Sequence, residues 1–283
     1  MNESNIKLTV IILDYFKASR VIENVSLLEN QEVDFKFKIV VIDNSCDKQN
    51  ADILEKSLKN FSNVELVVNS KNLGYIKAHN VVKDKIEGDY LLILNPDILL
   101  RETTVLKKMV AHMEANPNVG LLGPKQVNDT GEIAMIARAF PKFYLQVARR
   151  TFLRHLPILR KKVEYDEMRH LDYSKTQDVD WLQSSCVIIR KELWDKIGGL
   201  SEAYFLFMAD PELCFDVWKN GFRVVYFPET QVFADGKRVS AGGFIKFFQS
   251  QILRQHVKDS LKYGLKHALK PNPRKKYYEN HPS

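Results

Sequence analysis

The stretch "LLILNPDILL", residues 91–100, decides how this chain folds. Seven of its ten residues are Leu or Ile, the composition of a strand buried on both faces. Asn95-Pro96-Asp97 interrupts it. Proline has no N–H to give to a β-ladder, so it is tolerated where the ladder is already finishing. The stretch therefore predicts a core strand that stops at a turn and presents a carboxylate, Asp97, beyond its carboxyl end.

Working outward, the same grammar repeats. "IKLTVIILDY" (6–15), "FKIVVIDNS" (37–45) and "VELVVNS" (64–70) are β-branched, apolar runs that end in turn residues. Between them lie mixed segments that read as helices: through residue 30, over 50–60, and after "NLG" from residue 74. "TTVLKKMVAHMEANP" has helical periodicity and stops before Pro117, and "VGLLGPKQV" reads as a short fifth strand. Strands alternating with helices predict an α/β fold, a mostly parallel sheet flanked by helices on both faces. Ligands in such sheets gather at the carboxyl ends of the strands, and Asp43 and Asp97 both fall there.

The second half is different in texture. Residues 138–178 read as loop-rich and basic. Trp181–Arg190 reads as one strand, followed by a short helix closed by Gly198-Gly199. "DPELCFDVWKNGF" is a helix with Gly221 as its stop, and "RVVYFPETQVF" supplies one or two further strands.

Of the chain's 283 residues, 45% are hydrophobic and 27% charged, which excludes disordered, collagenous and repeat classes. Its three cysteines show no metal-type spacing and cannot pair evenly, which predicts a reduced, cytoplasmic setting. The N-terminus "MNESNIKLTV" predicts no signal peptide. No apolar run approaches the roughly 20 residues needed to cross a bilayer. After residue 240 there are nine Lys or Arg and two Asp or Glu, which accounts for the entire net charge of +7. These features predict one compact unit over residues 1–240, with a nucleotide-binding part to about 125 and an acceptor part over about 126–240. A basic amphipathic helical tail follows over 241–283.

In order and spacing, "VIILDYFKASRV", "VVIDNS", "NLGYIKAHN", "LLILNPDILL" and the long run from "VDWLQSSCVIIRKELWDKIGGL" to "RVVYFPE" resemble family 2 glycosyltransferases of the rhamnosyltransferase-like branch. The resemblance covers roughly residues 6–240. It implies a GT-A, Rossmann-like fold and an inverting transfer of a sugar from a nucleotide diphosphate donor. Asp14, Asp43, Asn72, Gly74 and Asn95 are then expected at the nucleotide, with Asp43 accepting the imide N–H of uracil or thymine. Asn95-Pro96-Asp97 takes the place of the family's Asp-x-Asp motif. Asp97 would hold a divalent cation, Mg²⁺ or Mn²⁺, which takes carboxylate oxygens. Asn95 departs from that motif by removing one charge.

Ala209-Asp210 stands where the family has Glu-Asp, so Asp210 is the expected base toward the acceptor hydroxyl. As an alternative, Asp before Pro is also a good helix start. Trp181, Gln183 and Glu212 are expected at the sugar and acceptor, although Glu212 in a first helical turn also suits the helix dipole. Two further departures are Asp216, where an Arg is usual, and Ala234, where a His is usual. Asp235 next door is the expected substitute metal ligand.

In the tail, Arg254, Lys258, Lys262, Lys266 and Lys270 recur every four residues, and so do Leu253, Val257, Leu261, Leu265 and Leu269. Like charges at this spacing repel on a helix in water, by a few tenths of a kcal/mol per pair. An anionic membrane surface reverses that cost. The other reading is a solvated face on a helix packed against the domain. No aromatic-basic platform accompanies the charge, so nucleic acid is not an expected partner. Expected partners are a dTDP- or UDP-sugar donor, a glycan or polyprenyl-linked acceptor, and the inner face of a bacterial membrane. A nucleotidyltransferase is disfavoured because "ILDYFKASR" has no phosphate-cradling Gly. A catalytically impaired relative that binds sugar nucleotide or scaffolds an assembly is the alternative reading.

Overall fold

The computed structural model describes residues 6–282 except 143, 146, 147, 149, 150, 206 and 235–250, and the side chains of 251–253. The expected ligand Asp235 lies outside the described residues, as do Arg149, Arg150 and the start of the tail.

The strands are β1 (Ile6–Asp14), β2 (Lys36–Asp43), β3 (Val64–Val68), β4 (Tyr90–Leu94), β5 (Ile98–Leu99), β6 (Val119–Asn128), β7 (Ile133–Ala134), β8 (Ala137–Arg138), β9 (Gln177–Asp178), β10 (Trp181–Leu182), β11 (Cys186–Arg190) and β12 (Arg223–Ala234). The helices are α1 (Ala18–Glu29), α2 (Lys48–Leu58), α3 (Gly74–Asn80), α4 (Val105–Ala115), α5 (Pro157–Asp166), α6 (Lys191–Ile197), α7 (Ala209–Lys219), α8 (Gln251–His267) and α9 (Pro273–Asn280).

The main sheet runs β3-β2-β1-β4-β11-β6-β12-β5. Strands β3, β2, β1 and β4 are mutually parallel, β11 is reversed between β4 and β6, and β12 runs parallel to β6. The sheet is thus mixed with a parallel majority, as alternating strands and helices require. Its alternating side chains feed two cores. Leu8, Val10 and Ile12 of β1 point into the core shared with α1 and α4. Ile11 points into the opposite core, shared with α3, α6 and α7.

The stretch that opened the reading resolves physically. Leu91–Leu94 are fully buried in β4. Asn95-Pro96-Asp97 turns the chain, and Ile98-Leu99 resume as β5 against Phe233 and Ala234 of β12. The apolar residues after the turn are therefore one edge of the same sheet.

Two expectations are corrected. Trp181–Arg190 is two strands, because Gln183-Ser184-Ser185 leave the ladder; Gln183 N–H bonds to Ile136 O (3.1 Å) and Ser185 O accepts from Asn95 N (2.8 Å). The loop-rich basic segment contains α5, started by Pro157 at its first position. Of the one or two strands expected in "RVVYFPETQVF" the structure has one, the continuous 12-residue β12, with a register shift between Phe227 and Gln231.

The C-terminal helices close onto the domain. Tyr263 of α8 and Tyr277 of α9 belong to the core beneath α7. Asn272 caps α9 by accepting from the backbone of Arg274 (2.9 Å) and Lys275 (3.3 Å). On α8 the inward face is polar: Asp259 and Ser260 are buried beside Tyr263. Leu261 and Leu265 face out, the latter 81% exposed, as does Leu269 just past the helix at 99%.

Candidate active site

At the carboxyl end of the sheet, Asp14 of β1 and Asp43 of β2 are register partners. Both are fully buried. Asn50 of α2 donates to Asp14 Oδ2 (2.6 Å) and to Asp43 Oδ1 (3.1 Å), so one amide holds both carboxylates. Asp14 Oδ1 accepts from Lys17 N (2.8 Å), and Asp43 Oδ1 also accepts from Ser45 N (2.9 Å). Burial raises the Asp14 pKa, opposed by the Asn50 and Lys17 hydrogen bonds and reinforced by the Asp43 charge. Asp43 Oδ2 is buried with no hydrogen-bond partner among the described residues. A buried acceptor without a donor costs free energy that a ligand N–H would recover.

The loop after β3 is tied to this pair through Asn44. Its Nδ2 donates to Asn72 Oδ1 (2.9 Å), and its Oδ1 accepts from Leu73 N (2.9 Å). Asn72 Oδ1 also accepts from Gly74 N (2.8 Å). Gly74 has φ +72°, and a Cβ there would lie 3.3 Å from the Phe205 ring, so both conformation and space call for glycine.

Asp97 meets Lys17 at the start of α1, with Lys17 Nζ 2.6 Å from Oδ1 and also bonded to Oδ2. The turn itself is anchored by Asn24, which donates to Pro96 O (3.0 Å). Asp97 and Asn95 offer oxygen donors of the type hard divalent cations take. Among the described residues no group of three or more His, Cys, Asp or Glu could hold a metal ion. This set suits a cation shared with a diphosphate rather than one caged by protein alone.

Asp210, at the start of α7, accepts a hydrogen bond from Ser184 Oγ at Oδ1. Ser184 Oγ in turn lies 3.1 Å from Tyr75 OH, next to Gly74. Burial raises the Asp210 pKa, and the Ser184 hydrogen bond works against that rise. Since Ser184 adjoins Ser185, whose carbonyl holds Asn95 N, the Asp97 turn and Asp210 share one wall. Hydrogen bonds and chain neighbours together close a ring: Asp14, Lys17, Asp97, Asn95, Ser185 and Ser184, which bonds both Asp210 and Tyr75, then Gly74, Asn72, Asn44, Asp43 and Asn50 back to Asp14.

The remaining expected residues are placed differently from one another. Gln183 adjoins Ser184 on that wall. Trp181 is half-buried and its indole N–H donates to Ala139 O (2.7 Å). Glu212 does not face the cleft. It is 1% exposed and takes hydrogen bonds from Tyr204 OH (2.8 Å), Lys266 Nζ (2.6 Å) and His267 Nε2 (2.7 Å). Burial opposes its ionisation, but the His267, Lys266 and Tyr204 hydrogen bonds outweigh it and hold its pKa at about 2. Its place in a first helical turn signalled a structural acid as well as a functional one, and the tail supplies the cations.

Sequence reasoning missed Lys17, Asn44, Asn50, Tyr75 and Ser184. Each is an ordinary residue in a loop or helix, and only the packing of distant segments brings it to the ring. It also missed the exposed pair Tyr15 and Phe16 at the end of β1, with ring centroids 4.9 Å apart and Phe16 at φ +58°. A bulky residue at positive φ is strained, and such strain gathers at functional sites.

This architecture, a mixed sheet with acidic residues converging beyond its strand ends, is that of the GT-A glycosyltransferases. A mannosyltransferase from Pyrobaculum calidifontis, solved with GDP-Man and Mn²⁺, aligns over 99% of this chain and 70% of its own at a TM-score of 0.63 and 17% identity. Staphylococcus aureus TarS 1–349, solved with UDP, aligns over 81% and 60% at 0.57 and 20% identity. The family model described as Glycosyl transferase family 2 matches residues 9–193, and the chain belongs to that family. An N-acetylglucosaminyl-diphospho-decaprenol L-rhamnosyltransferase of Mycobacterium tuberculosis is 26% identical over 189 residues, which is 63% of this chain. The match spans 61% of that relative's length. Rhamnosyltransferase WbbL of Escherichia coli K12 is 25% identical over 250 residues, 84% of this chain and 86% of its own.

Proposed function

We propose that this protein transfers a sugar from a pyrimidine nucleoside diphosphate donor to a glycan or lipid-linked acceptor, with inversion at the anomeric carbon. The rhamnosyltransferase relatives favour L-rhamnose as the sugar, and dTDP is its expected carrier. The observation that carries the reading is the ring of contacts just described. It gathers an open carboxylate oxygen, a cation-type carboxylate and a desolvated base around one cleft.

In this reading Asp43 Oδ2 accepts the imide N–H of the base, while the Asn72–Gly74 turn lets backbone approach the nucleotide closely. Asp97 and Asn95 would hold Mg²⁺ or Mn²⁺ against the diphosphate, and such a cation neutralises charge on the leaving group. Asp210 takes the proton of the acceptor hydroxyl as that oxygen attacks. Ser184 holds Asp210 Oδ1 in place, and the raised pKa brings this base nearer to neutral pH than a free Asp. Gln183 and Trp181 line the acceptor side.

The tail helix supplies the route to a lipid-linked acceptor. No helix among the described residues is long and apolar enough to cross a membrane. Exposed Leu261, Leu265 and Leu269 beside exposed Lys258, Lys262 and Lys270 suit the interface of an anionic inner membrane surface. Lys266 is committed to Glu212.

A thermal-shift panel of UDP-, dTDP- and GDP-sugars, with and without Mn²⁺, tests the nucleotide reading. Stabilisation by a pyrimidine nucleotide, reduced in Asp97→Ala, is expected. No stabilisation by either pyrimidine donor overturns it. Binding without transfer from any donor favours the scaffold alternative, toward which Asn95 and Ala234 point. Sedimentation with phosphatidylglycerol vesicles tests the tail, and a Leu265→Glu, Leu269→Glu double variant is expected to stay in the supernatant.

A further inference from the structure

Phe205 is a large aromatic left 57% exposed in the segment that leads into α7. Its ring lies against Gly74 of the nucleotide-side loop, where a Cβ would come within 3.3 Å of it. Tyr75, the next residue, reaches Asp210 through Ser184. Phe205 itself precedes Asp210 by five residues in the segment that enters α7 through Met208 at φ +65°. The segment is held from behind. Asp259 of α8, fully buried, accepts from Phe205 N (3.3 Å) and Phe207 N (3.0 Å), and Gln255 Nε2 donates to its other oxygen (2.8 Å). A charged side chain buried this way is an expensive feature, and here it fixes two backbone N–H groups of one loop.

We propose that Phe205 is a carbohydrate-stacking residue of the cleft, and that Asp259 of the C-terminal helix is the positioning residue that sets its ring. An exposed aromatic face offers the C–H side of a pyranose a desolvated platform with little conformational entropy to lose. The ring borders the Gly74 loop, and its segment leads into Asp210, so the pyranose is that of the donor or of the acceptor. The inference rests on the glycosyl-transfer reading and deepens it. It also gives the helix beyond the family match a part in the site.

The test uses the full chain as wild type, Phe205→Leu, Phe205→Tyr and Asp259→Asn, with melting curves confirming the fold. Calorimetry with dTDP, dTDP-L-rhamnose, UDP and UDP-GlcNAc gives the sugar's share of donor affinity as the ratio of sugar nucleotide to nucleotide. Saturation-transfer NMR with methyl N-acetylglucosaminide reports an acceptor pyranose. Phe205→Leu is expected to leave both nucleotides unchanged within twofold and to weaken one sugar probe about fivefold. Phe205→Tyr restores that probe, and Asp259→Asn gives an intermediate loss. Loss on the sugar nucleotides assigns the donor pyranose, and loss on the glycoside assigns the acceptor. If wild type and Phe205→Leu bind every sugar probe alike, the proposal is overturned while the nucleotide site stands. If wild type binds no nucleotide, the underlying reading fails and takes the proposal with it.

Discussion

Lys17 holds Asp97 by both carboxylate oxygens, although 80 residues separate them in sequence. Lys17 begins α1 with its own N–H on Asp14, so one residue links Asp14 to Asp97. The pair is partly exposed, at 41% and 32%. An ammonium on Asp97 stands where a divalent cation would bind, and the two compete for one charge.

Lys17→Met is therefore expected to raise the affinity of the donor-free protein for Mn²⁺ about tenfold, the screened worth of removing one adjacent like charge. Titration of the free-Mn²⁺ paramagnetic resonance signal measures it. Asp97→Ala should abolish the binding in either background. An unchanged affinity in Lys17→Met would show that the cation does not use this carboxylate.

Asp210 should impose an acidic limb on the pH dependence of kcat/KM, placed above the ordinary Asp value of 3.8 because burial disfavours its charged form. The Ser184 hydrogen bond favours the carboxylate, so Ser184→Ala should move that limb to higher pH. Asp210→Asn should lower kcat by at least about 100-fold without changing the melting temperature. A limb that stays put in Ser184→Ala would assign it to another group.

Asp43→Asn turns an acceptor into an amide that can present a donor to the imide N–H of the base. Affinity for UDP and dTDP should fall about tenfold or more, as for other hydrogen bonds to charged groups. Calorimetry reads this directly, and a change of less than twofold would place the base elsewhere.

Glu212 has a folded pKa of about 2 against an ordinary 4.5. Its contribution to stability is therefore fully present above pH 4.5 and is lost as pH falls toward 2. Glu212→Gln should cost about 2–3 kcal/mol in urea unfolding at pH 7 and much less near pH 3. A pH-independent loss would point to packing rather than charge.

Much of this molecule was legible from local chemistry. Alternating apolar runs and helical segments gave β1 to β4 and β6 in order, because burial on both sheet faces demands continuous apolar residues, but not the two-residue β5. Asp43 and Asp97 were found at strand ends because Asp-Asn-Ser and Asn-Pro-Asp are turn sequences. Asp210 was found through the resemblance, because Ala209-Asp210 takes the place of the family's Glu-Asp, while Asp before Pro by itself signalled only a helix start. These are properties of a few consecutive residues, and a sequence states them directly.

What only the tertiary structure decided is who meets whom. Periodicity marked the leucine stripe of α8 as one face, but it could not say that Asp259, Tyr263 and His267 would turn inward and leave Leu265 and Leu269 outside. Composition could not separate Glu212, clamped by Lys266 and His267, from Asp210, two residues away and linked to Ser184. Hydrogen bonds and ion pairs across 50 to 120 residues depend on the angles at which distant elements pack, and no local pattern encodes those angles.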